Sequence, residues 1–312
     1  MPPSSLLPPV PEGGPAPTWI HRKLYERVLD ALHALPDFFK TSLNIAGARV
    51  TDLYTLNSAL GALLEQAVVD GLNSLRPIWD PDGTYKLYSF VRQNQVFPDV
   101  LLQTSAPGAV DRIILGIELK GWFALAKEGE PSFRYAVSPS VCTDADLLVV
   151  FPWVFDEVIS GHPKLLAPFI AEAKFAALHR NHYWAHVRGS GGPTDLVTAA
   201  AHTSPYPKKS DKFNDTAVSD PGKNFGRIAR GKIMDAFIAD LNITPLAGIP
   251  LGAWQRFIKI FSEAQTEAAV SAQLSAIEAQ FGPQFKSSDA ANAALHHLVD
   301  AALEFASLKN SS

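Results

Sequence analysis

Apolar residues recur every three to four positions in the first quarter of the chain and predict two helices. The first begins after Thr18, a candidate N-cap, and ends near Pro36. The second extends over about residues 52–75 and stops before Pro77, which cannot continue a helix. The apolar stripes are Ile20, Leu24, Val28 and Leu32 in the first helix and Leu53, Leu56, Leu60, Leu63, Leu64, Val68 and Leu72 in the second.

The hydrophobic period then changes from that of helices to that of strands. Residues 85–91 alternate between polar and apolar, and further strands are predicted after Asp99 and around residues 113–121. The continuous apolar run over residues 145–154 predicts a buried central strand. A helix over 165–179 and a strand over 182–187 follow. This order of elements predicts an α/β fold with a mixed central sheet flanked by helices.

Two short motifs within these strands carry the candidate chemistry. They are Phe97-Pro98-Asp99-Val100 and Ile117-Glu118-Leu119-Lys120-Gly121. Strand side chains alternate between faces, so Glu118 and Lys120 share one face while their neighbours point into a core. A hairpin-like pairing of the two strands brings Asp99 beside Glu118. Carboxylate oxygens are hard ligands that fit Mg²⁺ better than zinc.

A Pro-Asp pair followed by Glu-x-Lys on the next strand resembles the PD-(D/E)XK nuclease superfamily, and within it most closely the type II restriction endonucleases. The resemblance covers about residues 53–187. It implies a restriction-endonuclease-like core and Mg²⁺-dependent hydrolysis of double-stranded DNA at a specific sequence. Asp99 and Glu118 would hold the metal, and Lys120 would orient the attacking water. A homodimer and a cognate DNA methyltransferase as genetic partner are also implied.

Glu65 lies near the apolar stripe of the second predicted helix, where a lone carboxylate is costly to bury. In the PD-(D/E)XK superfamily that this chain resembles, a helix before the catalytic strands often supplies an additional glutamate. This resemblance makes Glu65 a candidate catalytic residue. The alternative is a border acid that pairs with a basic side chain. A similar choice exists for the polar segment 127–135, which either approaches substrate or forms a solvent loop.

The segment 202–232 has its own charge pattern. It contains seven lysines and arginines and three aspartates, a net charge of +4, whereas the remainder of the chain carries −8. A positive island on an acidic protein indicates a specific anionic partner. We therefore predict that this segment binds DNA, with the following candidate contacts: Lys208, Lys209, Lys212, Lys223, Asn224, Arg227 and Arg230.

Within this segment, residues 221–230 are predicted to form a turn that enters a helix. Arg227 and the first backbone amides of that helix can hold a phosphate. Alternatively, Arg227 reads guanine through its bidentate fork, or it pairs structurally with Asp235 or Asp240.

Composition limits the remaining function classes. Cys142 is the only cysteine, so an intrachain disulfide framework is excluded and a reducing, cytoplasmic location is expected. No Gly-x-Ser-x-Gly elbow and no nucleotide-binding Gly-x-x-x-x-Gly-Lys-Ser/Thr loop occurs. No apolar run approaches the length of a membrane span.

Three regions and three functions are compatible with these patterns. We predict a disordered proline-rich arm over 1–17, a nuclease domain over 18–245 and a helical C-terminal subdomain over 246–312. The preferred function is a type II restriction enzyme. The alternatives are a repair or recombination nuclease that recognises DNA structure, and a catalytically inactive DNA-binding module.

Overall fold

The computed structural model describes residues 7–46, 50–94, 96–189, 192–199, 205–262 and 266–285. The helices are α1 (Arg22–Phe38), α2 (Val50–Ser74), α3 (Arg76–Trp79), α4 (Ala173–His182), α5 (Asp235–Ile243), α6 (Leu251–Ser262) and α7 (Glu267–Phe285). The strands are β1 (Ser89–Arg92), β2 (Val100–Gln103), β3 (Ile113–Phe123), β4 (Leu147–Phe155), β5 (Pro163–Leu165), β6 (Phe169–Glu172), β7 (Leu196–Val197), β8 (Thr216–Ala217), β9 (Pro245–Leu246) and β10 (Ile249–Pro250).

The central feature is a mixed sheet flanked by helices, so the predicted α/β class is confirmed. β1, β2 and β3 form an antiparallel meander, and β4 then pairs with β3 in parallel. β5 and β6 both add to β4 antiparallel, one at each end of it. β4 is buried along its whole length because it has neighbours on both sides and core on both faces.

The connection between the two parallel strands is irregular. A parallel pair needs a long crossover, which is usually a helix. Here residues 124–146 make the crossover with only one short 3₁₀ turn, Pro139–Val141. This loop-like crossover matters for function because it passes directly beside the candidate site.

Two local predictions after β4 are wrong. The predicted helix over 165–179 begins only at Ala173, since Phe169–Glu172 pairs with β4 as strand β6. The predicted strand over 182–187 is instead a helical continuation of α4, with π-type hydrogen bonding over Tyr183–Val187. Only Trp184 of Tyr183–Val187 is buried, so this stretch has no buried strand face.

The core lies between the sheet and its helices. In α1, Leu24, Val28 and Leu32 are fully buried, whereas Ile20 lies before the helix and is exposed. The described residues of the α2 stripe are buried except for Leu63, which faces solvent: Leu60, Leu64, Val68 and Leu72. α6 contributes Leu251 and Ile258 to the same core, so the helix at 251–262 packs as part of this body.

The proline-rich arm, for which disorder is predicted, is held against the body in its described part. The backbone N–H groups of Glu12, Gly13 and Gly14 all donate to the carboxylate of Glu172, at 2.6 to 3.0 Å. In addition, Arg22 donates to the carbonyl of Pro15. Residues 286–312, which include part of the predicted C-terminal subdomain, lie outside the described residues.

Over the described part of the chain, no helix has both the length and the apolar character needed to cross a membrane.

Candidate active site

Strand β3 places two charged groups on one face. Its register with β2 pairs Ile117 with Val100, so Ile117 and Leu119 face the core under α2. Glu118 and Lys120 consequently project from the opposite face, as the alternation of the strand predicts. Glu118 is nearly buried, and the Lys120 side chain is 19% exposed.

Asp99 reaches this face through a close approach of backbone segments. Gly116 lies on the same face as Glu118, and a methyl group added there would collide with the Pro98 ring and with Asp146. The absence of a side chain at Gly116 therefore lets Pro98 lie against β3. The Gly116 amide donates to Asp146 Oδ1 at 2.7 Å, which fixes the strand from the other side.

The structure brings the three predicted residues together. Lys120 Nζ lies 2.8 Å from Glu118 Oε1 and 3.0 Å from Asp99 Oδ2. Asp99 Oδ2 also accepts the backbone N–H of Leu119 at 3.0 Å. One ammonium group thus bridges two carboxylates, and backbone contacts hold the group at the junction of β2 and β3.

Burial and neighbouring charges change the pKa values of Glu118 and Lys120 in this cluster. Removal from water raises the pKa of Glu118 to about 7, against an opposing contribution from Lys120 and with a further increase from Asp99. Burial alone would lower the pKa of Lys120, but the attraction of Glu118 and Asp99 outweighs it and raises that pKa. The cluster carries more negative than positive charge, since two carboxylates share one ammonium.

An open cleft of about 240 Å³ leads to these carboxylates. Asp99 and Glu118 lie at its base, and the crossover contributes Arg134, Ala136 and Val137 to its wall. Phe213 and Asn214 of the basic segment, together with Val96 and Phe97, complete the lining. The cleft is therefore acidic at the base, with an exposed arginine at the wall.

Glu65 occupies a different position. Its carboxylate pairs with Arg92 Nη2 at 2.9 Å, and Glu65 is not among the residues that line the cleft. Arg92 pairs with Val100 across the strands, so it belongs to the core face rather than the face of Glu118 and Lys120. The structure thus places Glu65 in the ion pair that was its alternative assignment, and brings it together with neither Asp99 nor Glu118.

The basic segment meets the crossover directly beside the cleft. Val137 and Asn214 form an antiparallel bridge. The Ser138 amide donates to the Phe213 carbonyl, and the Asp215 amide donates to the Ala136 carbonyl, both at 2.8 Å. This pairing places the chain between Lys212 and Asp215 at the rim of the cleft.

The predicted DNA-contact residues divide into two groups. Lys208, Lys209, Lys212 and Lys223 are exposed. Asn224, Arg227 and Arg230 instead line a second cavity, where the Asn224 side-chain oxygen accepts from Arg230. Residues 228–231 form a 3₁₀ turn and α5 begins only at Asp235, so Arg227 does not enter a regular helix. In the described part of the chain, Arg227 pairs with neither Asp235 nor Asp240.

The donor set suits a hard divalent cation. Within the described residues, no group of three or more His, Cys, Asp or Glu side chains is arranged to hold a metal. Asp99 and Glu118 form a pair, and Mg²⁺ is commonly held by one or two carboxylates together with substrate phosphate and water. The excess negative charge of the cluster fits such an ion. Asp99 and Glu118 are the residues that would hold it.

No protein-family model, no curated protein and no solved structure matches this chain.

Three arginines near the site were not among the predicted site residues. Arg134 lines the cleft, whereas Arg180 and Arg188 line the second cavity. Arg134 lies in the polar segment 127–135, for which an approach to substrate was one of two predictions. No sequence pattern identifies Arg180 and Arg188 as site residues, because their positions depend on contacts with aspartates elsewhere in the chain.

Proposed function

We propose that this protein is a Mg²⁺-dependent endonuclease that hydrolyses phosphodiester bonds of double-stranded DNA at a specific sequence, as type II restriction enzymes do. The observation that carries the proposal is the contact of Lys120 Nζ with both Asp99 and Glu118 at the base of an open cleft. The meander of β1 to β3 followed by a parallel β4 supports a restriction-endonuclease-like core.

The chemistry divides among three side chains. A bound Mg²⁺ would lower the pKa of a water molecule and stabilise negative charge on the scissile phosphate. Asp99 and Glu118 bring two carboxylates within hydrogen-bond distance of one ammonium and offer the negative charge that such an ion requires. Lys120 holds that ammonium beside both carboxylates, where it would stabilise the charge that develops on the phosphate oxygens.

The surroundings of the cleft support a DNA substrate. The basic segment reaches the rim through the bridge between Val137 and Asn214, and Arg134 lies on the wall. Phosphate contacts from exposed lysines, such as Lys208 and Lys209, position a duplex without reading its sequence. A polyanion is thus attracted to the rim, although the base of the cleft is acidic.

The test is incubation of the purified protein with supercoiled plasmid and Mg²⁺, followed by sequencing of the cut ends. Cleavage at one recurring sequence would support a restriction enzyme, and nicks at junctions or mismatches would favour a structure-recognising repair nuclease. Lys120→Ala is expected to cut poorly. Lys164→Ala, which removes an exposed lysine on β5, serves as the matched control. A protein that binds DNA but never cuts it would contradict the proposal and favour a binding module.

A further inference from the structure

A second cavity, of about 250 Å³, lies among four arginines: Arg180, Arg188, Arg227 and Arg230. We call it the arginine pocket. Trp184 and Asn224 form part of its wall. A concave site lined by guanidinium groups selects anions, and its volume is sufficient for a phosphate group and part of what is attached to it.

The arginine pocket lies directly behind the wall of the cleft. Arg180 Nη1 donates to the carbonyls of Tyr135 and Val137, each at 2.8 Å. The Tyr135 amide donates to the carbonyl of Gly226, also at 2.8 Å. The segment 134–137 is therefore shared: it lines the cleft and is bonded to two residues of the pocket. The two sites are thus connected through one stretch of backbone.

Three of the four arginines are fixed by carboxylates. Arg180 pairs with Asp215 at 2.7 Å, and both side chains are almost completely buried. Arg188 pairs with Asp195 at 2.6 Å and lies flat over Trp184, 3.4 Å from the ring centroid. These contacts set the shape of the pocket and leave it little net charge.

Arg230 is held more loosely. Its Nε lies 3.4 Å from Glu130 Oε1, and its guanidinium group also donates to the side-chain oxygen of Asn224.

Arg227 differs from the other three. Among the described residues it has no carboxylate within ion-pair distance, and its Nε atom is buried without a hydrogen-bond partner. A buried donor without a partner is unfavourable, so it is normally paired with protein, water or ligand. Arg227 thus supplies the one uncompensated positive charge among the pocket's four arginines, and its buried Nε–H lacks an acceptor.

We propose that the arginine pocket binds a phosphate group of the DNA strand whose neighbouring phosphodiester occupies the cleft, with Arg227 as the principal contact. This proposal rests on the proposed nuclease function. Guanidinium matches phosphate through two parallel hydrogen bonds, which a lysine ammonium cannot reproduce. The segment 134–137, which lines the cleft and is hydrogen-bonded to Arg180 and Gly226, places the pocket next to the cleft. The phosphate is either internal to the strand or a terminal monoester.

The first test uses the full chain without metal and inorganic phosphate as the probe. A ligand that binds only the folded state raises the unfolding midpoint as its concentration increases. We expect phosphate to raise the midpoint of the wild type and to leave that of Arg227→Met unchanged. Without phosphate, Arg227→Met is expected to unfold at a higher temperature than the wild type, because the unpartnered N–H is removed. Arg27→Met, in an exposed pair with Asp82, is the matched control.

The second test measures binding of duplex oligonucleotides in EDTA over a range of salt concentrations. We expect Arg227→Met to bind about tenfold more weakly and to lower the salt slope by about 1. Arg227→Lys should retain the slope and recover only part of the affinity. If the loss occurs only for duplexes with a 5′-phosphate, the occupant is a terminal monoester, whereas an equal loss with 5′-hydroxyl ends identifies an internal phosphate.

The outcomes separate this proposal from the proposed function. If a folded Arg227→Met variant binds phosphate and DNA as tightly as the wild type, with an unchanged salt slope, the proposal for the pocket is overturned even if the enzyme cuts DNA. Loss of phosphate binding in that variant would support the pocket's phosphate chemistry even if the wild type cuts nothing, and only the assignment to the cleaved strand would then fail.

Discussion

The cleft holds two carboxylates around one ammonium, whereas the arginine pocket holds four guanidinium groups with three carboxylate partners. Both lie against the segment 134–137, yet the excess charge is negative in the cluster of Asp99, Glu118 and Lys120 at the cleft and positive in the pocket. In each case part of the charge is compensated within the protein. What remains is a small, local excess that a ligand of the opposite sign can satisfy: a divalent cation in the cleft, a phosphate in the pocket.

The two sites also differ in how they are positioned. Glu118 and Lys120 derive their geometry from one strand, and Asp99 immediately precedes the strand paired with it. The arginine pocket instead combines α4, its π-helical continuation and a 3₁₀ turn, through aspartates at 195 and 215. We therefore expect the cleft to keep its backbone structure when one of its side chains is removed. The pocket, in contrast, should depend on its ion pairs for its shape.

The largest expected effect on stability is in the pocket. Arg180→Ala leaves Asp215 charged, buried and without its arginine, which typically costs about 3–5 kcal/mol. Denaturant unfolding of the metal-free protein measures this cost. Arg27→Ala, which breaks an exposed pair, should cost no more than about 1 kcal/mol. If Arg180→Ala is as stable as the Arg27 variant, the Arg180–Asp215 pair does not set the shape of the pocket.

The largest expected effect on rate is in the cleft. Lys120→Ala removes the fixed positive charge while leaving both carboxylates in place, and loss of one such preorganised contact lowers the rate about 10²–10³-fold. Single-turnover cleavage of prebound DNA measures the step, with folding checked by circular dichroism. Lys164→Ala is the control. A near-normal rate would mean that Lys120 only neutralises Glu118 and Asp99.

This contrast explains what could be predicted from the sequence. Asp99, Glu118 and Lys120 could be placed together because strand alternation and a single antiparallel pairing suffice. Glu65 could not be assigned, since its contact with Arg92 depends on how α2 lies across β1. Arg180 and Asp215 are 35 residues apart, and no local pattern indicates that they meet. The local pattern at Phe169–Glu172 predicts helix, because nothing in it indicates the pairing of this segment with β4.

A third prediction uses pH to test the negative excess in the cleft. Glu118 has a raised pKa of about 7 in the folded protein, so between pH 4.5 and 7 the folded state binds more protons than the unfolded state. The free energy of unfolding should therefore fall as pH rises through this range, because the proton that stabilises the buried carboxyl in the folded state is lost. Glu118→Gln should lose this component.

Denaturant unfolding in EDTA at pH 4.5 to 7.5 compares the two proteins. Asp146 also has a raised pKa, of about 6, but it is present in both proteins and cancels in the difference. If the stability difference between wild type and Glu118→Gln does not change with pH, Glu118 is not a buried, undercompensated carboxylate.

The smallest expected effects come from two glycines, one beside each site. Gly116 gives Pro98 room on β3, and Gly226, at φ +85°, allows close approach to the Tyr135 carbonyl. Overpacking of this kind typically costs about 1–3 kcal/mol. Gly116→Ala should displace Pro98 and the adjacent Asp99, and so lower cleavage while phosphate binding persists. Gly226→Ala should weaken phosphate binding in the arginine pocket more than it lowers the rate of prebound DNA cleavage.

The two variants thus form a crossed pair, and each serves as the other's control for a general loss of stability. Measuring both readouts on both proteins, at a temperature where each is fully folded, separates local displacement from partial unfolding. If both glycine variants lower cleavage and phosphate binding in the same proportion, the segment 134–137 transmits the disturbance between the sites. In that case the cleft and the arginine pocket respond as one unit, and their independence is refuted.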